Sequence, residues 1–193
     1  MGTDRKTFLT YVLIASFTIT IASMEAVKTS EILSATCDDL AAIEELATRI
    51  WNAHYPGIIT QEQIDYMLAQ DYAIERLQQD LKQGIGMDKL LVEGKLTGFS
   101  AYGPTSRSDE IKLHKLYVDQ SVHGKGYGYK LLTHCESNVK ARGYHKIILQ
   151  VNKNNSKAIK AYERNHYYRE ESVVVDIGGG FVMDDFIMAK ILD

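Results

Sequence analysis

The stretch KLHKLYVDQSVHGKGYGYKLL, residues 112–132, carries most of the information about the fold. Residues 111–118 form a predicted strand in which polar and apolar side chains alternate, so that His114 shares a face with Lys112, Leu116 and Val118. A glycine-rich segment follows, and then a helical pattern of roughly four turns over residues 126–141. A strand that enters a glycine loop and then a helix predicts a ligand-binding crevice at the carboxyl end of the strand.

The loop has three glycines separated by single residues, in the order His123-Gly124-Lys125-Gly126-Tyr127-Gly128. Glycine tolerates a positive φ and lets the backbone approach a ligand, so successive N–H groups can form an anion-binding concavity. The positive end of the following helix and the charge of Lys125 add to this, which together predicts a phosphate site. The spacing differs from that of dinucleotide-binding and P-loop sequences. A tight turn that binds nothing is the alternative for the loop taken alone.

A second pattern lies on the short predicted helix at residues 155–164. Asn155, Ala158 and Tyr162 are spaced three and four residues apart, which places them on one helix face. A small residue between two polar ones leaves room for a ligand chain. Alternatively, Ala158 is a core contact and Tyr162 packs at the edge of the core.

The elements around these two motifs predict a mixed α/β domain with one sheet. A strand at residues 31–36 precedes a helix capped by Asp38 or Asp39, and a second helix from Thr60 extends to residue 77, with a possible division near Asp71. A hairpin at 90–102, the strand at 146–151 and a final hairpin at 167–191 complete the order. We expect one domain over residues 31–193.

The composition is that of an ordinary globular protein of 193 residues with a net charge of −3. Basic residues are spread along the chain, so nothing suggests nucleic-acid binding. The two cysteines, Cys37 and Cys135, cannot form a disulfide framework, which favours a reducing compartment. The histidines show no ligand spacing, so no metal site is predicted.

Residues 1–30 form an apolar extension with an ambiguous character. A basic start, an uncharged run over residues 7–24 and the small residues Ala22 and Ser23 near its end resemble a secretory signal, although the run is short for a membrane span. A start at Met24, with an artefactual extension before it, is the alternative.

The two motifs together resemble those of the GNAT superfamily of N-acetyltransferases. The resemblance is carried by residues 112–167, where the family's Gln/Arg-x-x-Gly-x-Gly/Ala signature falls on residues 123–128 and its Asn-x-x-Ala-x-x-x-Tyr signature on Asn155, Ala158 and Tyr162. It implies a mostly antiparallel sheet with splayed central strands and flanking helices. It also implies an enzyme that transfers an acetyl group from acetyl-CoA to a primary amine, in the cytoplasm where acetyl-CoA is kept.

Two residues depart from the family pattern. His123 stands in place of Gln or Arg, which we expect binding to tolerate because backbone amides do most of the work of the loop. His166 stands where the family has glycine, and histidine tolerates the left-handed conformation better than most residues do.

The resemblance also implies roles for individual residues. Amides of residues 124–128 would hold the pyrophosphate, and backbone at Leu116, Tyr117 and Val118 would bind the pantetheine arm, with the Val118 N–H stabilising the oxyanion. Tyr162 is the expected general acid. His114 is the expected general base, with Glu110 or water as alternatives.

The acceptor is the least determined part. The family places it between the first helices and the last hairpin, which here suggests the candidates Trp51, His54, Tyr55 and the pair Asp184-Asp185. A small amine, a polyamine, an amino acid and a protein or peptide amine all remain open, as does a homodimer. A non-catalytic CoA or acyl-CoA sensor is the second hypothesis, and a nucleotide-binding α/β domain the third.

Overall fold

A computed structural model describes residues 29–192 as one seven-stranded sheet with five α-helices. The expectations for residues 1–28 lie outside this range. The elements in chain order are β1 (Ser30–Ser34), α1 (Leu40–His54), α2 (Gln61–Asp71), α3 (Ile74–Lys82), β2 (Gly86–Val92), β3 (Lys95–Pro104), β4 (Glu110–Val118), α4 (Tyr127–Ala141), β5 (Lys146–Asn152), α5 (Ser156–Arg164), β6 (Tyr168–Gly178) and β7 (Phe181–Ile191). Within the described part, no helix is long and apolar enough to cross a membrane.

The sheet has the strand order β1-β2-β3-β4-β5-β7-β6. Neighbouring strands are antiparallel except for β4 and β5, which are parallel and are joined through α4. The predicted mixed, mostly antiparallel sheet is therefore confirmed. Apolar clusters cover both faces of the sheet, one on one face and two on the other, because alternate residues of each strand point to opposite sides. Helices α1, α2 and α3 cover one face, and α4 and α5 cover the other.

The two central strands separate, as the resemblance implied. β4 and β5 pair only between residues 110–113 and 146–149. Beyond Leu113, β4 continues to Val118, and beyond Leu149, β5 continues to Asn152, without pairing between them. The result is a gap in the middle of the sheet whose main-chain groups on β4 have no strand partner on that side.

A β-bulge at His114 changes the predicted faces of β4. Tyr102 of β3 pairs with Leu113 and Ala101 pairs with Lys115, so His114 is the extra residue. Leu113 packs in the same cluster as Leu116, on the α4 side. The prediction of unbroken alternation, with His114 on the face of Leu116 and Val118, is therefore wrong, since an inserted residue reverses the pattern.

The helical region divides where the sequence suggested. Tyr72 ends α2, and Ala73 precedes α3. The Thr60 side chain accepts a hydrogen bond from the Gln63 N–H at 3.2 Å and caps α2. The Gln63 side chain does not accept from the Thr60 N–H, as it would in a capping box. It donates instead to the Val182 carbonyl at 2.9 Å and links α2 to β7.

Candidate functional site

A cavity of about 830 Å³ opens where β4 and β5 separate. This is within the range of small-molecule sites in proteins. Its walls are the end of α1, the gap strands, the glycine loop with the first turn of α4, and α5. The predicted site residues that line it are His54, Tyr55, His114, Leu116, Tyr117, Val118, His123, Gly124, Gly126, Tyr127, Gly128, Asn155, Ala158 and Tyr162.

The glycine loop is held in place by side chains on its approach. Asp119 accepts hydrogen bonds from the Ser121 N–H and from Arg49 Nε, both at 2.9 Å. The bonds to Ser121, with Arg49 beside them, lower the pKa of Asp119 to about 2. His123 Nε2 donates to the Val118 carbonyl at 2.8 Å. His123 therefore closes the loop onto the end of β4.

The loop itself presents main-chain amides to the cavity. Gly124 and Gly126 have φ angles of +75° and +80°, which L side chains rarely adopt. Gly126 is the N-cap of α4 and supplies no side-chain cap, so the first amides of this helix have no intrahelical partner. A Cβ on Gly124, Gly126 or Gly128 would meet no atom within 4 Å. The space beside these glycines is thus open, and the unpaired amides at the start of α4 can bind an anion such as a diphosphate there.

Lys125 is the loop residue that does not line the cavity. Its side chain is exposed, so its charge acts through solvent and is screened. The backbone amides, rather than this lysine, define the anion site.

The Val118 amide faces the gap between the central strands. The N–H of the next residue, Asp119, donates to the carbonyl of Thr97 in β3 at 2.7 Å. Successive residues of a strand direct their main-chain groups to opposite sides. The Val118 groups therefore point away from β3, as the bond from His123 to the Val118 carbonyl also requires.

The α5 motif has a structural part and a part that faces the cavity. Asn155 is buried and caps α5, because its Oδ1 accepts from the Ala158 N–H at 3.2 Å. Its Nδ2 donates to His54 Nε2 at 3.1 Å and joins α5 to α1. Burial lowers the pKa of His54, in agreement with a neutral ring that accepts this bond. Asn155 thus builds the cavity wall with its polar atoms already engaged.

Tyr162 is on the cavity wall with its ring against the α4-side core. The ring lies 5.5 Å from that of Tyr167, and within the described chain the Tyr162 hydroxyl makes no hydrogen bond. Burial raises the pKa of Tyr162 to about 12, so the phenol keeps its proton at neutral pH. Tyr162 is therefore a protonated phenol on the cavity wall whose hydroxyl has no hydrogen-bond partner among the described residues.

The two predicted candidates for the base differ in position. His114 lines the cavity, and although its side chain reaches solvent, loss of hydration and the charges of Lys112 and Lys115 lower its pKa to about 4. Glu110 is buried and binds Lys146 at 3.0 Å. It lies six residues before Leu116, about 20 Å along the strand, and is not part of the site.

The predicted acceptor residues are separated by the fold. Trp51 is 2% exposed and does not line the cavity. It instead stacks under Tyr55 with ring centroids 4.2 Å apart, and supports that residue from the core. Asp184 is exposed and forms an ion pair with Lys153. Its neighbour Asp185 is 3% exposed and faces the opposite side of the sheet. Trp51 and Asp184 are therefore not part of the candidate site.

Polar residues of the wall that the sequence patterns did not indicate include Gln120, Gln150, Lys157, Arg164 and Asn165. Lys157 and Arg164 of α5 line the cavity together with Gln150 at the end of β5. The two basic residues are seven apart, so helical periodicity would have placed them on one face. Among residues 29–192, no group of three or more His, Cys, Asp or Glu side chains could hold a metal ion.

Comparison with known proteins supports this geometry. A spermidine N(1)-acetyltransferase from Thermoplasma acidophilum is 24% identical over 157 residues, which cover 80% of this chain and 95% of that protein. The crystal structure of the PaiA N-acetyltransferase from the same organism with coenzyme A has a TM-score of 0.73 and 26% identity, covering 84% of this chain and 99% of that one.

The ribosomal-protein-S18-alanine N-acetyltransferase of Escherichia coli is similar in fold alone. Its crystal structure has a TM-score of 0.66 and 21% identity, covering 85% of this chain and 94% of that one. The model of the acetyltransferase (GNAT) family matches residues 41–167, from α1 to the end of the α5 motif. That range contains the splayed strands, the uncapped helix and Tyr162, and the chain therefore belongs to the GNAT family of acetyltransferases.

Proposed function

We propose that the protein transfers the acetyl group of acetyl-CoA to a primary amine by direct attack. The observation that supports this most strongly is the opening between β4 and β5, bordered by the uncapped amides of α4 and by the free hydroxyl of Tyr162. A covalent enzyme intermediate is not needed. Cys135 is fully buried against Ser100, and burial raises the pKa of its thiol to about 12, so it is no nucleophile.

The glycine loop holds the pyrophosphate in this proposal. Its three glycines border open space, and the amides at the start of α4 carry the positive end of the helix dipole. Lys157 and Arg164 add positive charge on the opposite wall, where they can meet further phosphate oxygens. Acetyl-CoA supplies the activated acetyl group as a thioester, and the loop fixes its position along the gap.

The exposed edge of β4 orients the thioester. The Val118 N–H points into the gap and can donate to the carbonyl oxygen as negative charge develops on it. One such preorganised donor contributes about 2.7–4 kcal/mol to transition-state stabilisation in enzymes where it has been removed. Position contributes as well, because the amine and the carbonyl carbon are held within reach of each other.

Tyr162 stabilises the departing sulfur. Its pKa of about 12 makes it a weaker acid than an ordinary thiol, whose pKa is about 8.5, so complete proton transfer to the thiolate would cost about 5 kcal/mol. Tyr162 therefore acts as a hydrogen-bond donor to the thiolate, and the thiol takes its proton finally from solvent or from the attacking amine.

His114 takes the amine proton at neutral pH. It lines the cavity and is uncharged above pH about 4, so it is in the form that accepts a proton. Because general-base efficiency falls as the pKa falls below the working pH, its contribution is small, and water can replace it.

The test is acetyl-CoA turnover with a panel of amines, followed by detection of free thiol. Spermidine heads the panel, since a relative is named for it, followed by diamines, monoamines, amino acids and peptides with free N-termini. Acceptor-dependent thiol release supports the proposal. Tight CoA binding without release from any amine would favour a sensor, and displacement of CoA by ATP or NAD would favour a nucleotide-binding domain.

A further inference from the structure

Asp185 of β7 is a buried carboxylate with an unused acceptor atom. The residue is 3% exposed, and its Oδ1 has no hydrogen-bond partner in the described chain. A buried polar atom without a partner is costly and uncommon. Asp184, one position before it, is exposed and satisfied by Lys153. The unsatisfied member of the pair is therefore the one inside the protein.

Asp185 lies on the face of the sheet that α1 and α2 cover. It pairs across the sheet with Asn152 of β5, and Asn152 shares its face with Gln150, which lines the cavity. The charged and titratable groups that act on Asp185 are Lys112 of β4, Lys153 after β5, Asp184 and, at the end of α1, Tyr55.

These neighbours do not satisfy the carboxylate. Lys112 Nζ donates to Gln150 Oε1, and Lys153 is paired with Asp184. Burial, and secondarily Asp184, raise the pKa of Asp185 to about 6. At pH 7 and above it is still a carboxylate, with an oxygen available to a cation.

The strand spacing sets the distance from Asp185 to the reacting atoms. β7 is two strands from β4, so their backbones are at least about 10 Å apart, and more where β4 and β5 diverge. An attacking nitrogen must lie about 3–3.5 Å from the thioester carbon on the β4 side. At least about 6.5 Å remain. The Asp185 side chain and its hydrogen bond of about 2.8 Å to an ammonium group span part of this distance, and a diamine with a three- or four-carbon spacer can span the rest.

We propose that Asp185 binds the non-reacting ammonium group of a diamine or polyamine acceptor and thereby selects dications over monoamines. The proposal rests on the proposed amine acetylation. Asp185 does not itself line the cavity, so the ammonium reaches it between Tyr55 and Gln150, which do, and the face of the Tyr55 ring adds a cation–π contact. Binding supplies the partner that the Asp185 carboxylate lacks.

The test compares Asp185→Asn with Asp184→Asn, a matched neighbour on the opposite face. The two substrates are 1,3-diaminopropane and n-propylamine, which differ in the second nitrogen. We expect Asp185→Asn to lower kcat/KM for the diamine about tenfold or more, mainly through KM, with less than a twofold change for the monoamine. Asp184→Asn changes neither by more than twofold. Equal losses for both amines, or no loss for the diamine, overturn the proposal.

Equilibrium binding separates this proposal from the proposed function. Calorimetric titration of the protein–CoA complex with the two amines needs no turnover. We expect diamine affinity to fall as the pH is lowered through about 6, where Asp185 becomes neutral, and this pH dependence to disappear in Asp185→Asn. If wild type binds both amines equally, the inference fails even when acetylation is observed. If diamine binding depends on Asp185 but no amine is acetylated, the inference stands and the proposed function fails.

Discussion

Replacement of Tyr162 by phenylalanine separates catalysis from stability. The ring packs against the core, whereas the hydroxyl has no hydrogen-bond partner among the described residues. Removing the hydroxyl breaks no hydrogen bond within the protein. It also removes the cost of partly burying an unpaired polar group, so the free energy of unfolding should not fall. We therefore expect the melting temperature of Tyr162→Phe to equal or slightly exceed that of wild type.

The effect on turnover follows from the bond that Tyr162 makes with the departing sulfur. Hydrogen bonds to charged groups contribute about 1.5–3 kcal/mol. If this energy is lost in the transition state, kcat falls by about 10- to 150-fold, with little change in KM for acetyl-CoA. Because the pKa of Tyr162 is about 12, its ionisation produces no loss of activity between pH 6 and 10.

Tyr167→Phe is the matched control. The Tyr167 hydroxyl is buried and donates to Glu136 at 3.0 Å, away from the cavity lining. Its loss should lower stability by about 1.5–3 kcal/mol, or roughly 3–12 °C in melting temperature, and leave kcat near wild type. The pair is measured by steady-state thiol release and differential scanning calorimetry. A kcat for Tyr162→Phe within threefold of wild type, with acetyl transfer shown to be rate-limiting, would refute the assigned role.

Three further predictions concern Gly128 in the glycine loop, the proposed base His114, and Asp119 on the approach to the loop. Gly128→Ala should raise helix stability by about 0.5–1 kcal/mol but weaken CoA binding in calorimetry, since a methyl group there enters the open cavity; unchanged affinity would contradict the loop assignment. His114→Gln should lower kcat less than tenfold and leave any acidic limb between pH 5 and 8 in place, because the pKa of His114 is about 4; loss of that limb would identify His114 as its source. Asp119→Asn should destabilise the protein at pH 7 to 4 in urea titrations, and the difference should shrink as the pH falls towards 2, where wild-type Asp119 also becomes neutral; a constant difference would exclude a charge effect.

The depressed pKa of Asp119 determines the sign of that last effect. Its folded-state pKa of about 2 lies below the ordinary value of 3.8, so the ionised form stabilises the fold. The contribution is complete above the ordinary pKa and is lost as the pH falls through the folded-state value.

Local patterns in the sequence determined the order of elements and the two signature motifs. Helical spacing, the glycines of the loop and the Asn155–Ala158–Tyr162 pattern depend on neighbours within a few residues, so they are visible without a fold. The cap of α2 at Thr60, the division between α2 and α3 and the hairpin of β6 and β7 followed from the same local rules.

The tertiary structure decided which side chains meet. The bulge at His114 depends on pairing with β3, a partner that is distant in sequence, and it reversed the faces of β4 beyond it. Whether Asp184 or Asp185 faces the protein interior depends on which face of β7 the helices cover, and Trp51 became core because three aromatic rings surround it. Side-chain direction relative to a sheet is a property of long-range packing, and periodicity alone gives only the relative faces within one element.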